Sequence, residues 1–265
     1  MKIIHLTDTH LLGVERANLY GINPAYLLKK AIKSIKKYHE DAIFVAITGD
    51  LVACGNEEEA YLILKDEMSK LNIPIYLMLG NHDNRKNFSK LFPQYVHNDL
   101  VQYSIKIEKK VFFFLDTLVD GERYGKLCDV RLAWLKDNLA KYKKFPIYIF
   151  MHHHPVDSGL YEMDNIANFR SANEFWDILN EYDNVKHISF GHVHRIMHAV
   201  KDGVSMHSTR STTFQVSYQP HNKLEYLTNK EKPTYAIMDI KEDNTLLIHH
   251  HEYLDEKRYY EDGSR

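Results

Sequence analysis

Cysteine is almost missing from this chain: Cys54 and Cys128 stand alone among 265 residues, with no CxxC spacing. Two such thiols are too few for a disulfide framework, which fits a reducing compartment. Long hydrophobic runs are missing too. No stretch approaches the ~18 apolar residues a membrane helix needs. Met1 leads straight into Lys2-Ile3-Ile4-His5-Leu6-Thr7-Asp8, without the charged and apolar regions of an export signal. A cytoplasmic protein is therefore expected, with no membrane partner. An excess of one charge is also absent: 34 Lys and Arg face 36 Asp and Glu, for a formal net charge of -2. Without a basic stripe there is no field to favour nucleic acid. Neither Gly-x-Ser-x-Gly nor a Walker A run occurs, so no side-chain nucleophile announces itself.

What the chain does have is histidine, 17 residues of it, and 44% hydrophobic content. That content suits one sizeable core, and a single domain is expected over residues 1–265, with residues 255–265 a loosely held tail.

Polar clusters recur at the ends of short apolar runs. Residues 3–7 read as a buried strand ending at Asp8-Thr9-His10, whose i and i+2 positions face one side. Leu11 to Ile22 reads as a loop beside that end. Asn23-Pro24 then caps a helix with Leu27, Leu28, Ala31, Ile32 and Ile35 at helical spacing. Ala42 to Thr48 is a second buried strand, ending at Gly49-Asp50, and Glu57 to Leu71 is helical. Ile75 to Leu79 is a third strand, followed by Gly80-Asn81-His82-Asp83. This alternation predicts parallel βαβ units, whose ligand sites lie beyond the strand ends.

The layout then changes. Asn84 to Phe92 reads as a short helix, and Val101 to Ile107 with Val111 to Asp116 as an antiparallel hairpin. Helices are expected at Asp129 to Tyr142 and Ser171 to Tyr182. The strands Pro146 to Met151 and Val185 to Phe190 end at His152-His153-His154-Pro155 and at Gly191-His192-Val193-His194. Residues 195–208 and 233–250 read as late hairpins that form a second sheet, and Pro220 to Lys232 as polar and irregular.

Five strand ends on one side of a sheet thus offer Asp8, Asp50, Asn81, His10, His152, His192 and His194. Seven ligands exceed the needs of one ion. With Asp50 bridging, two metals would each take four protein ligands. Nitrogen and oxygen donors without thiolate point to Fe, Mn, Zn or Co. Such a pair binds water, lowers its pKa and clamps a phosphoryl group, so the expected nucleophile is a metal-bound hydroxide.

Together, Asp8-x-His10, Gly49-Asp50, Gly80-Asn81-His82-Asp83, His152 and Gly191-His192-x-His194 resemble the calcineurin-like metallophosphoesterase superfamily. The resemblance implies an αββα sandwich, two mixed β-sheets flanked by helices. It also implies one metal on Asp8, His10, Asp50 and His194 and a second on Asp50, Asn81, His152 and His192. His82 would donate to the phosphate or leaving oxygen, with Asp83 orienting its ring. A narrower resemblance, carried by Tyr20-Gly21-Ile22-Asn23, His152-His153-His154-Pro155 and Ser208 to Pro220, is to bacterial class III 3′,5′-cyclic AMP phosphodiesterases and related glycerophosphodiesterases. It implies a small phosphodiester substrate, cyclic AMP first. Glycerophosphodiesters, 2′,3′-cyclic nucleotides and phosphomonoesters are alternatives, and a non-catalytic scaffold a further one.

Substrate contacts are expected from Asn81, His82, His153 and Arg210, the last standing where that family usually has proline. His154 is expected to face solvent or pack beside Pro155. His5, His187, His198, His207 and the run His249-His250-His251 are read as structural. Aromatic residues near Tyr20 and Phe214 are candidates for stacking on a base. A homodimer through the late hairpins is a further expectation.

Overall fold

The computed structural model describes residues 1–16, 18–218 and 227–254. The expected tail at 255–265 lies outside the described residues, as does the part 220–226 of the polar stretch Pro220 to Lys232.

The chain opens with strand β1 (Lys2–Leu6), helix α1 (Pro24–Tyr38), β2 (Phe44–Thr48), α2 (Glu58–Met68), β3 (Ile75–Met78) and α3 (Arg85–Leu91). Local chemistry sets these limits. The Asn23 side chain accepts from Tyr26 N at 2.9 Å and Pro24 occupies the first turn, while Asn84 caps α3 by accepting from Asn87 N at 3.0 Å. β1, β2 and β3 run parallel, and β2 is buried along its whole length, as a strand covered on both faces must be.

The hairpin β4 (Tyr103–Ile107) and β5 (Lys110–Phe114) begins a second sheet. It is followed by α4 (Asp129–Lys141), β6 (Ile147–Phe150), α5 (Tyr161–Asn165), α6 (Ala172–Leu179), β7 (Val185–Phe190), and the hairpin β8 (Met197–Lys201) and β9 (Val204–Ser208). A two-residue pair, β10 (Gln215–Val216) and β11 (Thr228–Asn229), precedes β12 (Thr234–Ile240) and β13 (Leu246–Glu252). The sheets have the orders β13-β12-β1-β2-β3 and β4-β5-β6-β7-β9-β8.

This corrects one expectation: the late hairpins do not share a sheet. β8 and β9 extend the second sheet beside β7, whereas β12 pairs antiparallel with β1 and brings β13 to the edge of the first. Strand pairing over such separations leaves no local mark in sequence.

Side-chain alternation stacks the layers. On β5, Phe112 and Phe114 face the first sheet, while Val111 and Phe113 face the helices. Phe44 of β2 meets Phe112 and Phe150 with ring centroids 5.1 and 6.0 Å apart. Leu135 and Leu139 of α4 and Phe175 and Trp176 of α6 cover the outer face of the second sheet. The result is an α/β sandwich of two mixed sheets flanked by helices.

A polar column interrupts the apolar layer between the sheets. Thr48 Oγ1 lies 2.8 Å from His5 Nε2, His5 Nδ1 3.1 Å from His207 Nε2, His207 Nδ1 2.7 Å from His187 Nε2, and His187 Nδ1 2.7 Å from Ser205 Oγ. Every ring is buried and every ring nitrogen has a partner, which is how imidazoles survive inside a core. Among the described residues no helix is long and apolar enough to cross a membrane.

Candidate metal centre

Five strands end at one rim: β1, β2 and β3 of the first sheet and β6 and β7 of the second, rather than one side of a single sheet. At these ends the backbone turns sharply. Asp8, His10, Asp50, His192 and His194 have φ of 54°, 41°, 47°, 70° and 49°. For residues with side chains that region costs ~1–3 kcal/mol each and persists only where the surroundings impose it. Glycines let the ends approach: a Cβ on Gly80 would stand 2.2 Å from Asp50 Oδ1, and one on Gly191 would stand 2.0 Å from Thr7 Oγ1.

Two groups of donors result. In the first, His194 Nε2 is 3.1 Å from both His10 Nε2 and Asp8 Oδ1, and His10 Nε2 is 3.6 Å from Asp50 Oδ2. In the second, His152 Nε2 is 3.4 Å from Asp50 Oδ1 and 3.2 Å from both Asn81 Oδ1 and His192 Nδ1. Asp50 turns one oxygen to each group. The seven residues expected as ligands are brought together.

Their tautomers say what belongs between them. His194 Nδ1 lies 2.8 Å from Phe214 O, His152 Nδ1 2.7 Å from Thr48 O, and His192 Nε2 2.8 Å from Ala167 O. A carbonyl can only accept, so those nitrogens carry the hydrogens and the opposite nitrogens present lone pairs when the rings are neutral. In those neutral forms His152 and His192 aim lone pairs at each other, and the buried Asp8 Oδ1, 3.1 Å from His194 Nε2, faces a lone pair as well. Such crowding is repulsive unless positive charge lies between. Donors ~2.0–2.1 Å from an ion stand ~2.8–3.0 Å apart in an octahedral arrangement and ~3.3–3.4 Å apart in a tetrahedral one, close to most of the spacings here. The donor set fits a pair of transition metal ions.

In the protein alone, a proton on His152 supplies that positive charge. Burial pulls the His152 imidazole down, but the Asp50 carboxylate beside it prevails and lifts it to about 9. Burial would raise Asp50, yet His152 and His82 hold it well below the usual carboxylate range. Burial pushes His10 down to about 3 and keeps His192 well below its ordinary value, so these rings remain neutral donors.

Around the ligands, several expected roles are redistributed. His82 donates its backbone N–H to Asp50 Oδ1 at 2.8 Å, and its ring lies edge-on to His10 with Nδ1 3.1 Å from Ala53 O. The Ala53 carbonyl, not Asp83, therefore orients that ring. Asp83 is buried and accepts from Leu51 N, Val52 N, Gly80 N and Tyr61 Oη. Burial and the Asp50 carboxylate raise its carboxyl to about 7, against the hydrogen bonds from Gly80 and Leu51. It clasps the Asp50 turn to the Asn81 turn.

His153 is buried behind His192, with Nδ1 2.8 Å from Thr117 Oγ1 and Nε2 3.3 Å from Arg123 O. Both nitrogens are engaged, and its ring packs against those of His152 and His192. His154 does not face solvent: it stacks on His192 and sets Nε2 3.2 Å from Asp164 Oδ1. Arg210 pairs with Glu231 and Glu252 at 2.8 and 3.0 Å and donates to Lys232 O, so two carboxylates already hold its guanidinium. An arginine beside acidic residues distant in sequence cannot be recognised as such from the chain. Phe214, which packs on both His10 and His194, and Asp164, on the short helix α5, were not resolved as parts of the centre by motif reading. Their signal is tertiary.

The calcineurin-like phosphoesterase family model matches residues 1–196, and the chain belongs to that family. It is accordingly a metal-dependent phosphodiesterase. The chain is 34% identical over 254 residues to a probable cyclic nucleotide phosphodiesterase of Rhodopseudomonas palustris, covering 94% of this chain and 91% of that protein. It is 26% identical to the 3′,5′-cyclic adenosine monophosphate phosphodiesterase CpdA of Escherichia coli, over 96% of this chain and 90% of the other. A probable glycerophosphodiester phosphodiesterase GpdQ of Arcobacter nitrofigilis is 27% identical, over 94% and 92%. Among solved structures, a dimetal phosphatase from Danio rerio superposes with a TM-score of 0.73 at 14% identity over 96% of both chains, a likeness of fold.

Proposed function

We propose that this protein hydrolyses 3′,5′-cyclic AMP to 5′-AMP at the rim where the two sheets meet. The observation that carries the site is the pair of donor groups sharing Asp50, with His152, His192 and His194 each tied to a carbonyl through one ring nitrogen and turning the other inward. The substrate reading is supported by full-length similarity to relatives named for cyclic nucleotides.

In this reading Asp8, His10, Asp50 and His194 hold one transition ion, and Asp50, Asn81, His152 and His192 hold the other. When bound, such a pair supplies positive charge for the phosphoryl oxygens and lowers the pKa of water. The remaining work belongs to the chain. Asp50 fixes the spacing between the groups, and carbonyls 48, 167 and 214 fix the ring orientations. His82, whose Nδ1–H donates to Ala53 O, acts in its doubly protonated form: Nε2–H passes its proton to the leaving 3′-oxygen and the ring is left neutral. Water adds to phosphorus, the P–O3′ bond breaks, and the product carries a 5′-phosphate and a free 3′-hydroxyl.

A glycerophosphodiester is the second reading, favoured by the GpdQ-named relative. The test is side-by-side hydrolysis of cyclic AMP, a glycerophosphodiester, bis(p-nitrophenyl) phosphate and p-nitrophenyl phosphate by the manganese-reconstituted protein. Cyclic AMP turnover, with the nitrophenyl diester well above the monoester, is expected. Diester turnover without cyclic AMP would shift the assignment to the second reading, and silence throughout would leave a scaffold.

A further inference from the structure

Tyr20 occupies a backbone position that a tyrosine ordinarily avoids. Leu19 and Ile22 exchange both backbone hydrogen bonds, at 2.8 and 2.9 Å, around a two-residue turn with φ of 52° at Tyr20 and 74° at Gly21. Positive φ at both central residues is the pattern of a type I′ turn, which favours Asn-Gly or Asp-Gly. An aromatic there is strained, and here burial offsets little, because Tyr20 is 58% exposed. Among the described residues its one ring contact is with Phe214, which it meets edge-on with centroids 5.0 Å apart.

Phe214 leads from the turn to the metal centre. It is buried, and its ring lies 4.6 Å from the His194 ring and 5.3 Å from the His10 ring. Tyr20 therefore stands one ring beyond two candidate ligands of the same metal, in edge contact with Phe214 and more than half exposed. A phosphate at the donor groups puts whatever is attached to it within reach of that ring, and a nucleotide's base is separated from its phosphate by a ribose.

We propose that Tyr20, backed by Phe214, is a stacking platform for the base of a nucleoside phosphate whose phosphate sits at the metal centre. The proposal rests on the reading that the two donor groups take a nucleotide's phosphate. It adds where the base goes, and the strained turn is the device that holds the ring out to meet it. Stacking needs only a π-face, so the platform distinguishes substrates with a base from those without one and is tolerant of which base is present.

The test titrates the manganese-loaded full chain with 5′-AMP and with ribose 5-phosphate by calorimetry, two ligands that differ by the base. The wild type is expected to bind 5′-AMP about tenfold more tightly than ribose 5-phosphate, the effect of one modest base–aromatic stack. Tyr20→Phe should keep that ratio. Tyr20→Asn, whose side chain suits the turn, should fold normally and bring the ratio near one. An unchanged ratio in Tyr20→Asn, or no preference in the wild type, would overturn the platform. Cyclic AMP turnover, measured separately on the wild type, reports on the proposed activity alone.

Discussion

At the scale of single residues, His82 and Asp83 are neighbours with opposite duties. His82 reaches the rim with one nitrogen tied to a backbone carbonyl, whereas Asp83 lies beneath, gathering backbone N–H groups of the Asp50 and Gly80 turns. Substitution should separate them. His82→Ala is expected to lower kcat ~10²–10⁴-fold, the range for a lost general acid, with the melting temperature held. Asp83→Ala strands buried donors, each costing ~1–3 kcal/mol, so thermal denaturation should show a Tm lower by several degrees. A kcat loss in Asp83→Ala with Tm unchanged would restore it to the role of ring orienter. The resemblance read from sequence placed both residues at the centre but set Asp83 on the His82 ring, because which group a side chain faces is settled by the strands that pack around it. The same reason hid the partnership of His154 with Asp164 and the engagement of Arg210 by Glu231 and Glu252.

At the scale of elements, the strand ends were legible and the sheet partners were not. Every proposed ligand follows an apolar run, so Asp8, Asp50, Asn81, His152 and His192 stood out as candidates by position as much as by chemistry. What sequence could not say is that β12 would insert beside β1 while β9 paired with β7, or that α5 would form between Leu160 and Ile166. The turns after the strands carry their own requirement. At Gly191 an added Cβ would collide with Thr7 Oγ1 and come within 2.9 Å of Asp8 Oδ2. Gly191→Ala should therefore push β7's exit away from β1 and loosen the first donor group. Metal analysis after dialysis is expected to show manganese retained below one half of the wild-type amount, and full retention would refute the steric account.

At the scale of the whole molecule, the histidine column between the sheets sets a dependence on acid. Burial, with His250 and His187 adding to it, pushes His5 down to about 3, and burial, with His198 beside it, does the same to His187. Both titrate near 6.5 when unfolded, so the unfolded chain binds more protons between these values. Their contribution to stability is complete above ~6.5 and is lost as pH falls toward ~3, each ring adding about 1.4 kcal/mol per pH unit within that window. Urea denaturation of the metal-free protein from pH 7.5 to 4.5 should show this slope, and His187→Gln should flatten it by about one ring's share. An unaltered slope would assign acid sensitivity to other groups.

The division of ligands between the sheets has one more consequence. Asp8, His10, Asp50 and Asn81 follow strands of the first sheet, and His152, His192 and His194 follow strands of the second. Each proposed ion draws on both, so neither layer owns a complete coordination shell. A fragment ending before β6 would carry four of the seven proposed donors, with His10 the one imidazole among them. The centre comes into being only when the layers close face to face, which makes metal occupancy a record of finished assembly.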